Sequence, residues 1–152
     1  MSHIFIIFLV IIVLCLNVLV KEKKMGRYYY GDVEGKFWFG VQSSDDGEYF
    51  GAVACEPNTI DYHVEDIEKV REGVENCLDK LGSNCSKLTE FFNSVDGYNE
   101  SMIQDYYKTH FNEDIEEKTI RELLCWFARL ELGTKILKYM EEHDECYFTA
   151  EI

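Results

Sequence analysis

The sequence predicts an α+β fold: a small antiparallel sheet built from N-terminal hairpins, packed against three to five helices and preceded by one transmembrane helix. Three observations carry this. Residues 27–64 are rich in aromatic and β-branched residues broken by turn signals. Residues 65–143 switch to apolar positions three and four apart. Residues 4–20 are apolar apart from Asn17.

The apolar segment comes first. As a helix, its 17 residues reach about 25 Å, at the short end of what spans a hydrocarbon core of about 30 Å. A buried soluble helix would need a polar face. A cleaved signal peptide would need a basic start and a small-residue cleavage site, and residues 1–24 have neither. The segment reads as a signal anchor, residues 1–24 with its basic flank. Lys21, Lys23, Lys24 and Arg27 all follow it, which orients residues 25–152 to the cytoplasm. Translation starting at Met25 would instead yield a soluble cytoplasmic domain.

Residues 25–152 form a single acidic domain. They hold 12 Lys and Arg against 28 Asp and Glu, a net charge of −16. With no basic run beyond residues 21–27, phosphate neutralisation is unsupported and nucleic acid is excluded as a partner class. Such a surface serves solubility or docking on a basic partner. Cys55, Cys77, Cys85, Cys125 and Cys146 are odd in number and include no C-x-x-C, so they read as reduced, mostly buried thiols.

The strands follow in order. Residues 27–33 form one strand, turning at Glu34-Gly35. Residues 36–42 and 48–55 form two more, joined by a hairpin at Asp46-Gly47. Residues 60–64 are a fourth, set off by Pro57-Asn58. Alternation sends Phe37, Phe39 and Val41 to one face and Trp38, Gly40 and Gln42 to the other.

The helices come next. Val64, Ile67, Val70, Val74, Cys77, Leu78 and Leu81 mark the first, stopped by Gly82. Ser83 or Asn84 caps a second carrying Leu88, Phe91, Phe92 and Val95. Met102, Ile103, Tyr106 and Tyr107 mark a third. The longest starts after Asn112, read as its N-cap with acids in the first turns. Gly133 either breaks it or is carried through to Met140. Residues 146–152 form a closing strand that would tie the C-terminus into the sheet.

The run Met25-Gly26-Arg27-Tyr28-Tyr29-Tyr30-Gly31-Asp32-Val33-Glu34-Gly35-Lys36-Phe37-Trp38-Phe39-Gly40-Val41-Gln42 resembles the opening of small uncharacterised proteins encoded by large DNA viruses. The resemblance covers about a quarter of the chain. It implies a viral origin and a domain that begins at the aromatic block, and it brings no activity, so no functional residue is carried over.

Chemistry-bearing patterns are few. Asp32 and Glu34, two apart on an extended strand, share a face and suit a hard cation, though a polar turn flanked by glycines explains them better. Asp45, Asp46 and Glu48 read as a solvated acidic turn. His143-Asp144-Glu145-Cys146 is dense in metal-ligand types but lacks a second half. No phosphate loop, dinucleotide fingerprint or serine-nucleophile motif occurs, and no cofactor is implied.

The aromatic block offers core on one side and a protein contact face on the other, with Tyr28, Tyr30, Trp38 and Tyr49 as the contact residues. The expected function is a membrane-tethered, non-enzymatic protein-interaction domain. The alternatives are a metal-dependent binding protein or enzyme using Asp32 and Glu34, and a structural component of a virion or assembly.

Overall fold

The computed structural model describes residues 28–38, 40–43, 45–55 and 61–150. The apolar segment 4–20 and its basic flank, Lys21, Lys23, Lys24 and Arg27, lie outside them. Among the described residues, no helix is long and apolar enough to cross a membrane.

The chain forms β1 (Tyr28–Gly31), β2 (Gly35–Lys36), β3 (Val53–Ala54), β4 (Asp61–Val64), α1 (Ile67–Leu81), α2 (Asn84–Ser94), α3 (Glu100–Phe111), α4 (Glu117–Met140) and β5 (Cys146–Ala150). All strand pairs are antiparallel, in the order β2-β1-β5-β4-β3. The last strand of the chain is therefore the central one. It joins the β1-β2 hairpin to the β3-β4 pair.

The predicted turn at Glu34-Gly35 closes β1 on β2, with Tyr28 opposite Lys36. Gly31 needs its missing side chain. Its φ is +117°, and a Cβ there would lie 2.7 Å from the Tyr147 carbonyl oxygen.

Residues 36–42 and 48–55 do not form the predicted hairpin. β2 ends at Lys36, residues 48–50 make one 3-10 turn, and β3 pairs with β4 at the opposite edge of the sheet. Local hydrogen bonds explain the first departure. The Gln42 side chain accepts from the Trp38 backbone N–H at 3.0 Å, and the Gln42 N–H donates to the Trp38 carbonyl at 2.9 Å, curling the chain away from a strand.

Packing explains the second. Phe50 is fully buried, held between α1 and α4 where Gly73 and Gly133 leave room for its ring. Asp46 does not lie in a solvated turn either. It is 2% exposed, and its Oδ1 accepts from Arg129 Nε at 2.9 Å and Nη2 at 2.7 Å.

The helices follow the periodic positions. Asp66 caps α1 by accepting from the Glu68 and Lys69 N–H groups, and Asn99 caps α3 by accepting from Met102 N–H. Gly82 ends α1 as expected, and Ser83 occupies the N-cap of α2. Asn112 is the C-cap of α3, in the left-handed conformation with φ 55°, and α4 starts only at Glu117. Asparagine tolerates that conformation better than most residues, so the position read as a start is an end. α4 runs unbroken through Gly133.

The helices cover one face of the sheet. Tyr29, Tyr62, Val64, Cys146, Phe148 and Ala150 point into the core with Val70, Leu124, Phe127 and Ile136. Their strand neighbours Tyr30, Asp61, Tyr147 and Thr149 point the other way, as a period of two requires.

Candidate functional site

The open face of the sheet gathers residues from four strands. Register sets His63 between Val53 and Tyr147, and Thr149 between Tyr30 and Asp61. Thr149 Oγ1 donates to Asp61 Oδ1 at 2.6 Å. Tyr28 lies beside Tyr30, with ring centroids 6.2 Å apart. Tyr30, Val53 and Tyr147 are 51%, 67% and 48% exposed, large apolar side chains left open on one face of the sheet. Glu65 and Glu145 lie at one end of this face.

Of the four predicted contact residues, Tyr28 and Tyr30 stand on this face, and Trp38 and Tyr49 do not. Trp38 is half-buried on the helical side. Its ring meets Phe92 edge-on at 5.0 Å and Phe127 at 5.7 Å, and its Nε1 donates to Glu131 Oε2 at 2.7 Å. Tyr49 packs against Trp126 at 5.8 Å, and the Arg129 guanidinium lies 4.8 Å from its ring centroid. Trp38→Ala is accordingly expected to destabilise the fold by about 2–4 kcal/mol, since it empties the space between α2 and α4. Tyr30→Ala should stay within about 0.5 kcal/mol. Thermal melts of the two variants, run side by side, check the assignment.

Asp32 and Glu34 line a cleft of about 300 Å³ with Val33, Lys135, Lys138, Tyr139 and Glu142. The Asp32 carboxylate already has a role there. It accepts from the Tyr147 N–H at 2.6 Å while the Asp32 N–H donates to the Tyr147 carbonyl at 2.8 Å, extending the ladder one step past Gly31. Hydrogen bonding to Asp32 also pushes the Tyr139 phenol above its ordinary value of 10.0. Two lysines share this cleft, and their charges compete with any cation for the carboxylates.

No known family matches this chain, and comparison with curated proteins and with solved structures yields no match either.

One grouping escaped sequence reasoning. Among the described residues, His63, Glu65 and Glu145 bring one ligand atom each within 4.8 Å of one another. The dense run at 143–146 contributes only Glu145. His143 stacks on Tyr139 and its Nδ1 approaches the Tyr139 carbonyl at 3.0 Å, while Cys146 is fully buried. The missing half lies on β4, and the period-two pairs His63-x-Glu65 and Glu145-x-Tyr147 were the available signal. Only the β4-β5 register says that the pairs are neighbours.

The cysteines supply no reactive centre in the interior. Cys77 and Cys146 are buried, and desolvation pushes their thiols up to about 11 and about 12. Cys85 and Cys125 are half-buried, and only Cys55 is exposed among the described cysteines. Asn84 and Asn99, which match the glycosylation pattern, are both engaged: Asn84 Oδ1 accepts from the Tyr107 hydroxyl at 3.0 Å, and Asn99 caps α3.

Proposed function

We propose that this protein is a non-enzymatic interaction domain, tethered to a membrane through residues 4–20, that docks a basic protein segment on the open face of its sheet. The observation that carries the reading is one-sidedness. Helices cover one face, while the other presents Tyr28, Tyr30, Tyr147 and Val53 in a field that also holds His63 and Thr149. Tyrosines suit such a surface because each offers a rigid ring and a hydroxyl that bonds at a wet interface. Asp61, Glu65 and Glu145 border the field, and residues 25–152 carry −16, so the complementary partner is positively charged.

The test is quantitative affinity purification with the full chain in its native membrane, comparing wild type with Tyr30→Lys and Val53→Lys. Both variants should retain the wild-type melting temperature and lose a basic partner by about tenfold or more, the equivalent of about 1.4 kcal/mol at each position. An unchanged set of partners in both variants rules out this face. Loss of self-association in place of a foreign partner would make the occupant a second copy of the chain.

A further inference from the structure

We infer that His63, Glu65 and Glu145 form a binding site for a divalent transition-metal ion of the zinc type, at the end of the open sheet face. Its argument is independent of the docking role proposed above.

Imidazole geometry comes first. His63 Nδ1 lies 3.5 Å from Glu65 Oε1, and Nε2 lies 3.3 Å from Glu145 Oε2. Each ring nitrogen ligates only through a lone pair, and an ion placed between Nε2 and Glu145 Oε2 would take one bond from each.

The spacing fits a metal. Ligand atoms about 2.1 Å from a tetrahedral zinc lie about 3.4 Å from one another. His63 Nε2 and Glu145 Oε2 already stand at 3.3 Å. One ligand atom each of His63, Glu65 and Glu145 lie within 4.8 Å of one another, and the Glu65 side chain, which faces Nδ1, is 70% exposed and so is free to turn from Nδ1 towards the ion.

The surroundings orient both ligands. The His63 ring is stacked on Tyr147 with centroids 4.1 Å apart and planes 9° from parallel, and its side chain is only 20% exposed. The Tyr147 hydroxyl donates to Glu145 Oε2 at 2.8 Å, fixing the carboxylate that faces Nε2. Partners that hold a ligand's orientation in this way are the usual second layer of a metal centre. One imidazole with two carboxylates favours zinc and its neighbours over calcium or magnesium, which take oxygen alone. Three protein ligands leave a fourth position open for water or for a group from a docked partner.

The experiment is calorimetric titration of Zn²⁺ into the detergent-purified full chain carrying Cys55→Ser, which removes the exposed thiol as a competing ligand. One ion should bind per chain and raise the melting temperature. His63→Gln, Glu65→Gln and Glu145→Gln should each weaken affinity by about tenfold or more and abolish the thermal shift. Tyr147→Phe, which removes only the orienting hydroxyl, should weaken it by a smaller factor, and Glu75→Gln on α1 should leave it unchanged. Since Glu65 is well exposed, its variant keeps the fold and the test stands even if His63→Gln is unstable. Absence of stoichiometric binding, or equal affinity in Glu65→Gln and Glu145→Gln, overturns the proposal. So does a melting temperature that responds to pH but not to Zn²⁺, which would make a proton the cation of the cluster.

Discussion

Arg129→Met is expected to destabilise the protein by about 3 kcal/mol, a fall in melting temperature of roughly 10 °C for a domain of this size. Asp46 is 2% exposed and receives two hydrogen bonds from Arg129. Removing the guanidinium leaves a buried carboxylate with no opposing charge. Lysine should not substitute well. The Arg129 guanidinium lies 4.8 and 4.7 Å from the ring centroids of Tyr49 and Trp126 while giving two hydrogen bonds to Asp46, and the single ammonium of lysine cannot reproduce both.

The pH dependence of this loss has a definite sign. Burial raises the Asp46 carboxyl above its ordinary value of 3.8, and the Arg129 hydrogen bonds and charge oppose the rise. Without Arg129 the folded-state value moves further up. The folded variant then holds a proton that the unfolded chain has released. Its penalty is greatest above the raised value and shrinks as pH falls towards 3.8. Melts of Arg129→Met and wild type from neutral to mildly acid pH should therefore converge. Asp46→Asn combined with Arg129→Met should recover much of the stability and lose the pH dependence. A deficit that ignores both pH and the second substitution would show that Asp46 is not its source.

Gly133→Ala should destabilise by about 1–3 kcal/mol, opposite in sign to the usual gain of about 1 kcal/mol for alanine over glycine inside a helix. A Cβ at position 133 would lie 2.5 Å from Phe50 Cζ and 3.1 Å from Cδ1, and Phe50 is fully buried with nowhere to move. The same ring lies where a Cβ on Gly73 of α1 would be 2.7 Å from Cδ1. One phenylalanine thus fills two glycine notches and pins the loop between β2 and β3 to the α1-α4 pair. Phe50→Leu combined with Gly133→Ala should be more stable than the sum of the two single losses implies, because the smaller side chain vacates the notch. Strict additivity, measured by denaturant unfolding of all four forms, would refute the wedge.

These two contacts explain where sequence reading stopped. The helices were legible because their cause is local: apolar residues at Val70, Cys77 and Leu81, or at Ile120, Leu124 and Phe127, recur on one stripe whatever lies opposite. The β1-β2 turn and β4 were legible for a similar reason, since glycines and alternation act within a few residues. The strands read at 36–42 and 48–55 were composed of strand-favouring aromatics, and a local hairpin signal joined them. Phe37 and Phe50 are indeed buried, but as plugs under helices and not as rungs of one hairpin. β propensity reports a side chain that fits a half-buried surface, and a helix-covered loop offers the same environment.

The candidate sites divide along the same line. Alternation placed Tyr30 opposite its buried neighbour Tyr29, and the structure agrees. Alternation within a strand at 36–42 turns Trp38 outward, but the strand ends at Lys36 and Gln42 folds the chain back. Glu145 was noticed, while its partners His63 and Glu65 lie some 80 positions earlier and meet it only through the β4-β5 register.

By itself, then, the sequence determined an acidic α+β domain, the stripes of the four described helices and the tyrosine-rich start of its sheet, because each follows from contacts between residues a few positions apart. Only the tertiary structure decided that the C-terminal strand is central, that Asp46 and Phe50 are interior, and that His63 faces two glutamates. Those outcomes depend on which distant segments compete for the same buried space and the same strand edge, and no spacing within one segment encodes that competition.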